Sequence, residues 1–461
     1  MSRAFRLIAV ACLAVALPWQ SMAANDASRR LLVVAPEAWQ PALAGFVAFK
    51  GRQLPTESRS LESILQTTGG VDDPEKLKRF LHEEWRTRRL GYVLLVGDVD
   101  VMPVRFMVLD RVTPAAFDYA FYPSDLYYAD LAKPDGSFES WNERQESFHA
   151  RYFGEVRGEK NKDDGINYDE VHYLPEIAVG RWPVSTPQEA RLIGAKTEAY
   201  EKAVIADLDP YVRRVAFASV GGWVDSRGLM DRLAAKLTTP WQIEKRYFSD
   251  LRRTSRTLPP NREQLLSLLN GGVSLAVHAG HGQTDAWEKC LSIADLDQLT
   301  NAAALPVLIS AGCSTAYFTT LPPYEPYLDA DGAEHIGSDQ GEVFASPPVP
   351  PSPYQSKFNP TGLGEQLLKR SANGAVAYIG CNTGSQPSGL TLVEGFVSAV
   401  SRRKSPRLGD CWNEAIHYYY ERENLATLKP NAAWYPPSVF FQGMKFMVFG
   451  DPSMRLPENR Q

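Results

Sequence analysis

The sequence predicts an α/β protein with largely parallel sheets, arranged as two consecutive α/β subdomains. Short apolar runs alternate with amphipathic stretches along most of the chain, which is typical of strands and helices that follow one another. Several runs are continuous Val/Leu segments, as expected for strands covered on both faces of a sheet. A break at Asp207-Leu-Asp-Pro210 separates two such series. We therefore expect an N-terminal subdomain over 24–206 and a C-terminal subdomain over 207–461.

The first 23 residues are predicted to be a secretory signal peptide. Arg3 and Arg6 precede an apolar run over 7–19, and Ser21-Met22-Ala23 resembles a small-residue cleavage site. The run is too short to span a bilayer as a mature helix. We expect an exported product, periplasmic or extracellular, with no stable membrane insertion.

Composition excludes several classes of protein. Of 461 residues, 44% are hydrophobic and 11% aromatic, so the chain has enough apolar surface to fold. The formal net charge of -5 leaves no basic excess to neutralise nucleic-acid phosphates. Five cysteines are too few for a disulfide-built scaffold, and the predicted cleavage removes one of them. We expect a globular protein that does not bind nucleic acid.

The N-terminal series contains strands and surface helices, followed by an irregular excursion. Residues 115–172 are rich in Asp, Tyr, Phe and Asn with little periodicity, and we expect a long ordered loop there. Thr186 is predicted to cap the helix that leads to the second series, with Pro187 at its first position. The predicted strands are Arg30–Ala35, Tyr92–Gly97 and Glu176–Gly180, and the predicted helices are Pro74–Leu90 and Thr186–Ile205.

The C-terminal series alternates more regularly and is interrupted by a Pro-rich loop over 320–360. Loops of that length inside compact domains are usually functional lids or disordered. The predicted strands are Val212–Val220, Trp241–Phe248, Val273–Ala279, Pro306–Ala311, Ala375–Ile379 and Lys445–Phe449. The predicted helices are Gly228–Leu237, Asn261–Leu269, Ile293–Ala303, Gly362–Arg370, 391–402 and 409–423.

A histidine and a cysteine follow two of these strands. Ligands of parallel α/β sheets bind beyond the carboxyl ends of the strands. His281 follows the strand that ends at Ala279, and Cys313 follows the strand that ends at Ala311. With one helix between them, the two strands form a βαβ unit, so the side chains meet as a thiol nucleophile and its base. The backbone N–H groups of Gly282 and Cys313 are candidate donors to an oxyanion.

Each of these residues also has a structural interpretation. Cys313 alone is equally typical of a buried small side chain or half of a disulfide, and His278 inside the strand is typical of a packed residue. A metal site of His278, His281 and Cys313 lacks any familiar zinc spacing, so we predict no metal there. The Asp/Asn-rich run 163–169 fails the EF-hand spacing and is more typical of a turn. We expect that the protein requires no cofactor for activity. Binding of a structural Ca2+ ion is left open.

Further motifs complete a pattern that resembles a known family. They are Ala279-Gly-His-Gly-Gln-Thr-Asp-Ala-Trp287, Leu305-Pro-Val-Leu-Ile-Ser-Ala-Gly-Cys313, Tyr92-Val-Leu-Leu-Val-Gly-Asp98, Ser124-Asp-Leu-Tyr-Tyr-Ala-Asp130, Pro175-Glu-Ile-Ala-Val-Gly-Arg181, Gly374-Ala-Val-Ala-Tyr-Ile-Gly380 and Phe449-Gly-Asp-Pro452. Together they resemble the gingipain family of cysteine peptidases over roughly residues 30–456. The resemblance implies a caspase-like fold for the C-terminal subdomain, related to caspases, legumains and separases.

The resemblance also implies roles for individual residues. His281 would be the catalytic base and Cys313 the nucleophile that attacks a peptide carbonyl, with Gly282 and Cys313 supplying the oxyanion donors. An acidic residue after the first strand of the catalytic domain orients the histidine in the family, and Asp225 is the nearest match. An N-cap of the helix that begins near Ser226 is an equally good interpretation of Asp225.

Substrate specificity does not follow from the resemblance. Gingipains that cut after Arg or Lys carry an aromatic wall after the strand equivalent to Ala375–Ile379. Here that segment contains Cys381, Asn382 and Gln386, which we expect to contact substrate, and it lacks a tryptophan. We expect an exported cysteine endopeptidase acting on proteins or peptides. The alternatives are a non-catalytic binding or scaffold protein with the same fold, and a thiol-dependent transpeptidase.

Overall fold

The computed structural model describes residues 29–112 and 118–459, so the predicted signal peptide lies outside the described residues. The strands are β1 (Arg30–Ala35), β2 (Thr56–Ser60), β3 (Leu90–Val96), β4 (Arg105–Asp110), β5 (Tyr119–Ser124), β6 (Ala178–Trp182), β7 (Arg214–Ser219), β8 (Gln242–Tyr247), β9 (Leu275–Ala279), β10 (Gly282–Gln283), β11 (Ala286–Trp287), β12 (Leu291–Ser292), β13 (Val307–Ser310), β14 (Tyr327–Leu328), β15 (Glu334–His335), β16 (Ala377–Cys381) and β17 (Phe446–Phe449). The helices are α1 (Gln40–Gly51), α2 (Leu61–Thr67), α3 (Asp73–Arg88), α4 (Pro187–Ala206), α5 (Arg227–Lys236), α6 (Arg262–Asn270), α7 (Leu363–Lys369), α8 (Gly389–Arg402), α9 (Leu408–Arg422) and α10 (Tyr435–Gln442).

Both halves of the chain contribute strands to one sheet of ten, in the order β2-β1-β3-β6-β17-β16-β13-β9-β7-β8. Neighbouring strands are parallel except at β16 and β17, which are antiparallel. Because β17 is parallel to β6 and antiparallel to β16, it runs in the same direction as the strands of the N-terminal half, and the other C-terminal strands of this sheet run the opposite way. The carboxyl ends of the two halves therefore lie at opposite edges of the sheet. The largely parallel α/β fold predicted from the sequence is confirmed.

Alternate residues of the strands fill two apolar layers, one on each face of the sheet. In β1, Leu32 and Val34 belong to the layer that also contains α3, α8 and α9 residues. Leu31 and Val33 belong to the other layer, with residues of α1, α4 and α6. A strand buried on both faces must be apolar at every position, which explains the continuous Val/Leu runs of the sequence.

The sequence located most helices correctly, and α4 begins as predicted. Thr186 accepts a hydrogen bond from the N–H of Glu189, whose carboxylate accepts in return from the Thr186 N–H. This capping box satisfies helix donors that are otherwise unpaired. The excursion 115–172 is irregular apart from β5, which forms a hairpin with β4, and two short 3-10 helices at Leu126–Tyr128 and Ser147–Arg151. Residues 115–117 of that prediction lie outside the described residues.

The helix predicted at Ile293–Ala303 is wrong, and so is the simple βαβ unit built on it. Three short antiparallel strands, β10 to β12, follow β9 and are succeeded only by a 3-10 turn at Ile293–Gln298. Ser292 and Asp295 cap that six-residue segment, which has 3-10 rather than α-helical geometry and ends at Gln298. Leu296 in this turn and Leu299 just after it are both buried. β9 and β13 are nevertheless adjacent and parallel, as the meeting of His281 with Cys313 requires.

The Pro-rich loop 320–360 packs on the N-terminal half. The Tyr152 hydroxyl donates to the Pro348 carbonyl at 2.7 Å, and the Val104 N–H donates to the Pro353 carbonyl at 3.1 Å. At its tip, Arg151 pairs with Asp331 at 2.7 Å. These contacts tie the loop to residues 104–152. Among residues 29–112 and 118–459, every helix is too short or too polar to span a bilayer.

Candidate active site

His281 and Cys313 lie at matching positions beyond two adjacent strands. In the β9–β13 pair, His278 lies opposite Ser310. His281 and Cys313 each follow three residues later, and adjacent strands are about 4.8 Å apart. Both side chains are half-buried, although the strands that carry them are fully buried. The structure therefore brings the predicted base and nucleophile to the same accessible edge of the sheet.

Two glycines allow the two loops to touch. A Cβ atom at Gly282 would lie 2.4 Å from the Cys313 carbonyl oxygen and 2.4 Å from the Thr315 methyl carbon. A Cβ atom at Gly312 would lie 3.1 Å from both the nitrogen and the Cα of Gly282. Any side chain at position 282 would push the histidine loop away from the cysteine loop. The Gly-His-Gly and Gly-Cys motifs are thus required by close backbone approach.

The imidazole of His281 is oriented by a backbone carbonyl. Its Nε2–H donates to the Gly222 carbonyl oxygen at 2.9 Å, in the loop after β7. Because a carbonyl oxygen only accepts, this bond places the proton on Nε2 and leaves the lone pair on Nδ1. Gly222 adopts a positive φ of 108°, a conformation that favours glycine. The loop after β7 therefore fixes the tautomer of the candidate base.

The thiol of Cys313 contacts the loop after β16. The Ser385 N–H donates to Cys313 Sγ at 3.2 Å, which places a hydrogen-bond donor on the sulfur. The following residue, Ser314, has a positive φ of 53° and donates its N–H to the Thr383 carbonyl at 2.8 Å. Within the described chain, the N–H of Cys313 itself has no acceptor. That N–H is available to a ligand beside the sulfur.

A buried aromatic and polar cluster supports the two loops from below. His278 is fully buried, stacks on Trp287 with ring centroids 4.5 Å apart, and shares a 2.9 Å hydrogen bond between its Nδ1 and Ser310 Oγ. The indole N–H of Trp287 donates to the Tyr378 hydroxyl at 2.7 Å. Burial lowers the pKa of His278 to about 3, so this ring is neutral and structural. The packed role predicted for His278 is confirmed.

Asp225 does not meet His281. Its carboxylate accepts hydrogen bonds from the Arg227 guanidinium at 2.8 and 2.9 Å and from the Arg227 backbone N–H. These bonds hold the pKa of Asp225 below its ordinary value. The position expected of an orienting acid is occupied instead by the Gly222 carbonyl.

The three residues expected to contact substrate occupy different environments. Cys381 is fully buried at the end of β16, and burial raises its pKa to about 11. Asn382 is buried and donates its side-chain amide to the Pro123 carbonyl at 2.7 Å. Gln386 is half-buried and lines a cavity of about 300 Å3 beside the cysteine loop. Of the three, Gln386 is the one that faces open space.

All four cysteines of the described residues are free thiols. Cys290 is buried, and burial raises its pKa to about 12. Cys411 is also buried, and its pKa is raised well above the ordinary value by the same cause. Since the thiolate is the nucleophile, only Cys313 among these thiols has the exposure that a reaction needs.

Sequence reasoning missed four residues that complete the site. Gly222 and Ser385 act through backbone atoms, which any residue type supplies, so their identity carried little signal. Lys445 and Trp434 line the cavity beside the cysteine loop and come from the far C-terminal segment.

The chain matches a known protein family over almost its whole length. The family model of peptidase family C25 matches residues 24–457. Gingipain R2 of Porphyromonas gingivalis is 22% identical over 294 residues, which cover 63% of this chain. The chain spans about a third (32%) of the length of that curated relative.

Two solved structures share the fold. The complex of Porphyromonas gingivalis RgpB pro- and mature domains superposes with a TM-score of 0.60 at 18% identity, covering 93% of this chain and 79% of the other. The crystal structure of the Arg specific cysteine proteinase gingipain R gives a TM-score of 0.59 at 17% identity, covering 93% and 78%.

A half-exposed thiol and an imidazole lie beyond adjacent carboxyl ends of parallel strands, in a fold shared with the solved gingipain R structures. The family match extends over almost the whole chain and includes both strand ends. The chain belongs to peptidase family C25, the gingipain family.

Proposed function

We propose that this chain is an exported cysteine endopeptidase that hydrolyses peptide bonds through an acyl-enzyme on Cys313. The observation that carries the proposal is the matched position of His281 and Cys313 beyond β9 and β13, with the histidine tautomer fixed by Gly222. A nucleophile, a base and a group that orients the base make the minimal set for acyl transfer.

The reaction begins with proton transfer from Cys313 Sγ to Nδ1 of His281. The resulting thiolate attacks the peptide carbonyl, and the Cys313 N–H with the Gly282 N–H stabilises the oxyanion. His281 then gives its proton to the leaving amine, and the acyl group stays on sulfur. A water molecule, deprotonated by His281, hydrolyses the thioester and restores the thiol. The reaction uses only side chains, backbone donors and water.

The Ser385 backbone contacts the nucleophile through both of its polar groups. Its N–H donates to Cys313 Sγ at 3.2 Å, and the thiol donates to its carbonyl oxygen at 3.6 Å. These contacts hold the sulfur beside the loop after β16, and the Gly222 carbonyl orients the imidazole of the base.

Comparison of wild type with Cys313→Ala on a mixed peptide library tests the proposal. We expect kcat/KM to fall by about 10⁴-fold or more, since a nucleophile and its base act as a unit. Cys290→Ala is the control, because Cys290 is buried and makes its contact with the Pro260 carbonyl. Equal rates for wild type and Cys313→Ala would refute the proposal. Mass analysis of products separates hydrolysis from transpeptidation, which joins fragments.

Export rests on the predicted signal peptide. Cleavage after Ala23 would give a mature chain that keeps every residue of the site. N-terminal sequencing of the protein recovered outside the cytoplasm tests this part, with a new N-terminus at Ala24 as the expected result. Recovery of the full-length chain in the cytoplasm would contradict it.

A further inference from the structure

The cavity beside the cysteine loop contains two cationic side chains. Its volume is about 300 Å3. Charged and aromatic groups from distant parts of the chain meet in it, next to the backbone of the loop after β16. Its lining includes Arg111, Glu159, Gly384, Gln386, Trp434 and Lys445.

The cavity is contiguous with the nucleophile. Lys445 Nζ donates to the Gly384 carbonyl at 2.5 Å, and the N–H of the next residue, Ser385, donates to Cys313 Sγ at 3.2 Å. One peptide unit joins these two contacts, so Nζ lies at most about 8 Å from Sγ. An extended peptide advances about 3.3–3.6 Å per residue. A side chain next to the scissile bond therefore reaches the cavity.

Lys445 lacks the acidic partner that the buried lysines Lys50 and Lys369 have. It is 5% exposed, and no carboxylate among the described residues lies within 4.0 Å of its Nζ. By contrast, Lys50 pairs with Glu201 at 2.8 Å and Lys369 pairs with Asp98 at 3.2 Å. Burial lowers the pKa of Lys445, which shows that its charge is poorly compensated.

The other charges of the cavity cancel. Arg111 lies 3.6 Å from Glu159, which is buried and also accepts the Val112 N–H at 3.2 Å. The nearby carboxylate of Asp110 accepts four backbone N–H groups, those of 158, 159, 160 and 161. The lining residues therefore carry one uncompensated positive charge, on Lys445.

We propose that this cavity binds a carboxylate of the substrate, from an Asp or Glu side chain beside the scissile bond or from the C-terminus of the peptide. This inference rests on the proposed peptidase function and deepens it. The carboxylate would accept from Lys445 and Arg111 in a charge-assisted contact. The aliphatic part of the Asp or Glu side chain would pack on Trp434. An Arg or Lys side chain would instead add a cation beside an unpaired lysine.

A positional-scanning peptide library tests the inference. Each position carries Asp, Glu, Asn, Gln or Arg in turn, and each peptide is made with a C-terminal carboxylate and with an amide. We expect wild type to prefer the acidic residue over its amide isostere by about tenfold or more in kcat/KM at one position. A preference that follows the C-terminal carboxylate instead identifies that source. Equal rates for acid and amide throughout, or a preference for Arg, would overturn the inference.

Variants assign the preference to the cavity. In Lys445→Met the acid-to-amide ratio is expected to fall below about threefold. Lys202→Met is the matched control, since Lys202 is exposed on α4 and pairs with Glu198 at 2.7 Å, and its ratio should equal that of wild type. If Lys445→Met does not fold by circular dichroism, Arg111→Gln takes its place. A ratio that survives in the folded variant would refute the assignment.

The Cys313→Ala protein separates this inference from the proposed function. Peptides bound to it are not cleaved, so Kd values for acid and amide peptides measure the cavity alone. A tenfold difference in Kd supports the carboxylate site even if wild type shows no hydrolysis, in which case only the peptidase proposal fails. Equal Kd values overturn the carboxylate site whatever the activity of wild type.

Discussion

The carboxyl ends of the parallel strands differ sharply between the two halves of the sheet. In the N-terminal half, Arg181 is fully buried and pairs with Asp125 at 2.8 Å. Asp98, just beyond β3, is also fully buried and pairs with Lys369. In the C-terminal half, His281 and Cys313 stay half-exposed. Buried ion pairs thus close the edge formed by the carboxyl ends of the N-terminal strands, whereas the matching edge of the C-terminal strands stays accessible. We expect the closed edge to contribute to stability and the accessible edge to carry the proposed chemistry.

Removal of one partner at the closed edge should have the largest effect on stability. Asp125→Ala leaves the Arg181 charge buried with only carbonyl oxygens as acceptors. We expect the free energy of unfolding to fall by about 3–5 kcal/mol. Urea unfolding measures it, and Asp297→Ala is the control, because the Asp297–Arg370 pair is exposed and should be worth about 1 kcal/mol or less. A loss below about 1 kcal/mol in Asp125→Ala would refute the role of the closed edge.

At the open edge, a change of one methyl group should affect activity more than stability. Gly282→Ala places a Cβ atom against the Cys313 carbonyl and must separate the two loops. A displacement of about 1 Å in catalytic groups costs on the order of 100-fold, and we expect that loss in kcat/KM.

Gly45→Ala is the control for this change, since a Cβ atom at Gly45 in α1 would have no other atom within 4 Å. Wild-type kcat/KM in Gly282→Ala would show that the two loops tolerate separation, and the distinction between the edges would then be weaker.

The local sequence pattern predicted the fold class and the placement of His281 and Cys313 beyond two adjacent strands, while their catalytic roles stay predictions. Continuous apolar strands and the residues just beyond them depend on local pattern, and His281 and Cys313 were found in this way. The contacts of Gly222 and Ser385 use backbone atoms, and Lys445 is far away in the chain, so no local pattern could reveal them. The prediction of an α-helix at 293–303 was wrong because a short 3-10 turn is enough to bury the apolar residues of this segment.

The pH dependence of stability should identify the buried histidine under the open edge. Burial holds the pKa of His278 at about 3, below its unfolded value of about 6.5. The unfolded chain therefore binds more protons between these values, and stability is lost as pH falls through that window. The expected slope from this group is roughly 1.4 kcal/mol per pH unit.

Urea unfolding of wild type and His278→Asn at pH 7, 6, 5 and 4 measures this contribution. Groups common to both proteins cancel in the difference, so the variant should show the smaller acid slope. Identical slopes would mean that His278 is able to bind a proton in the folded protein, and that the cluster beneath the site is more open than its burial indicates.

The smallest effect is expected from Asp225, which contacts Arg227 rather than His281. With the imidazole already held by the Gly222 carbonyl, Asp225→Asn should change kcat/KM by about threefold or less and leave the pH profile in place, as for an exposed ion pair. A loss above tenfold together with a shifted pH profile would instead show that Asp225 turns to His281 when substrate binds. The accessible edge would then rearrange during the reaction, whereas the closed edge, with its buried partners already paired, has no such freedom.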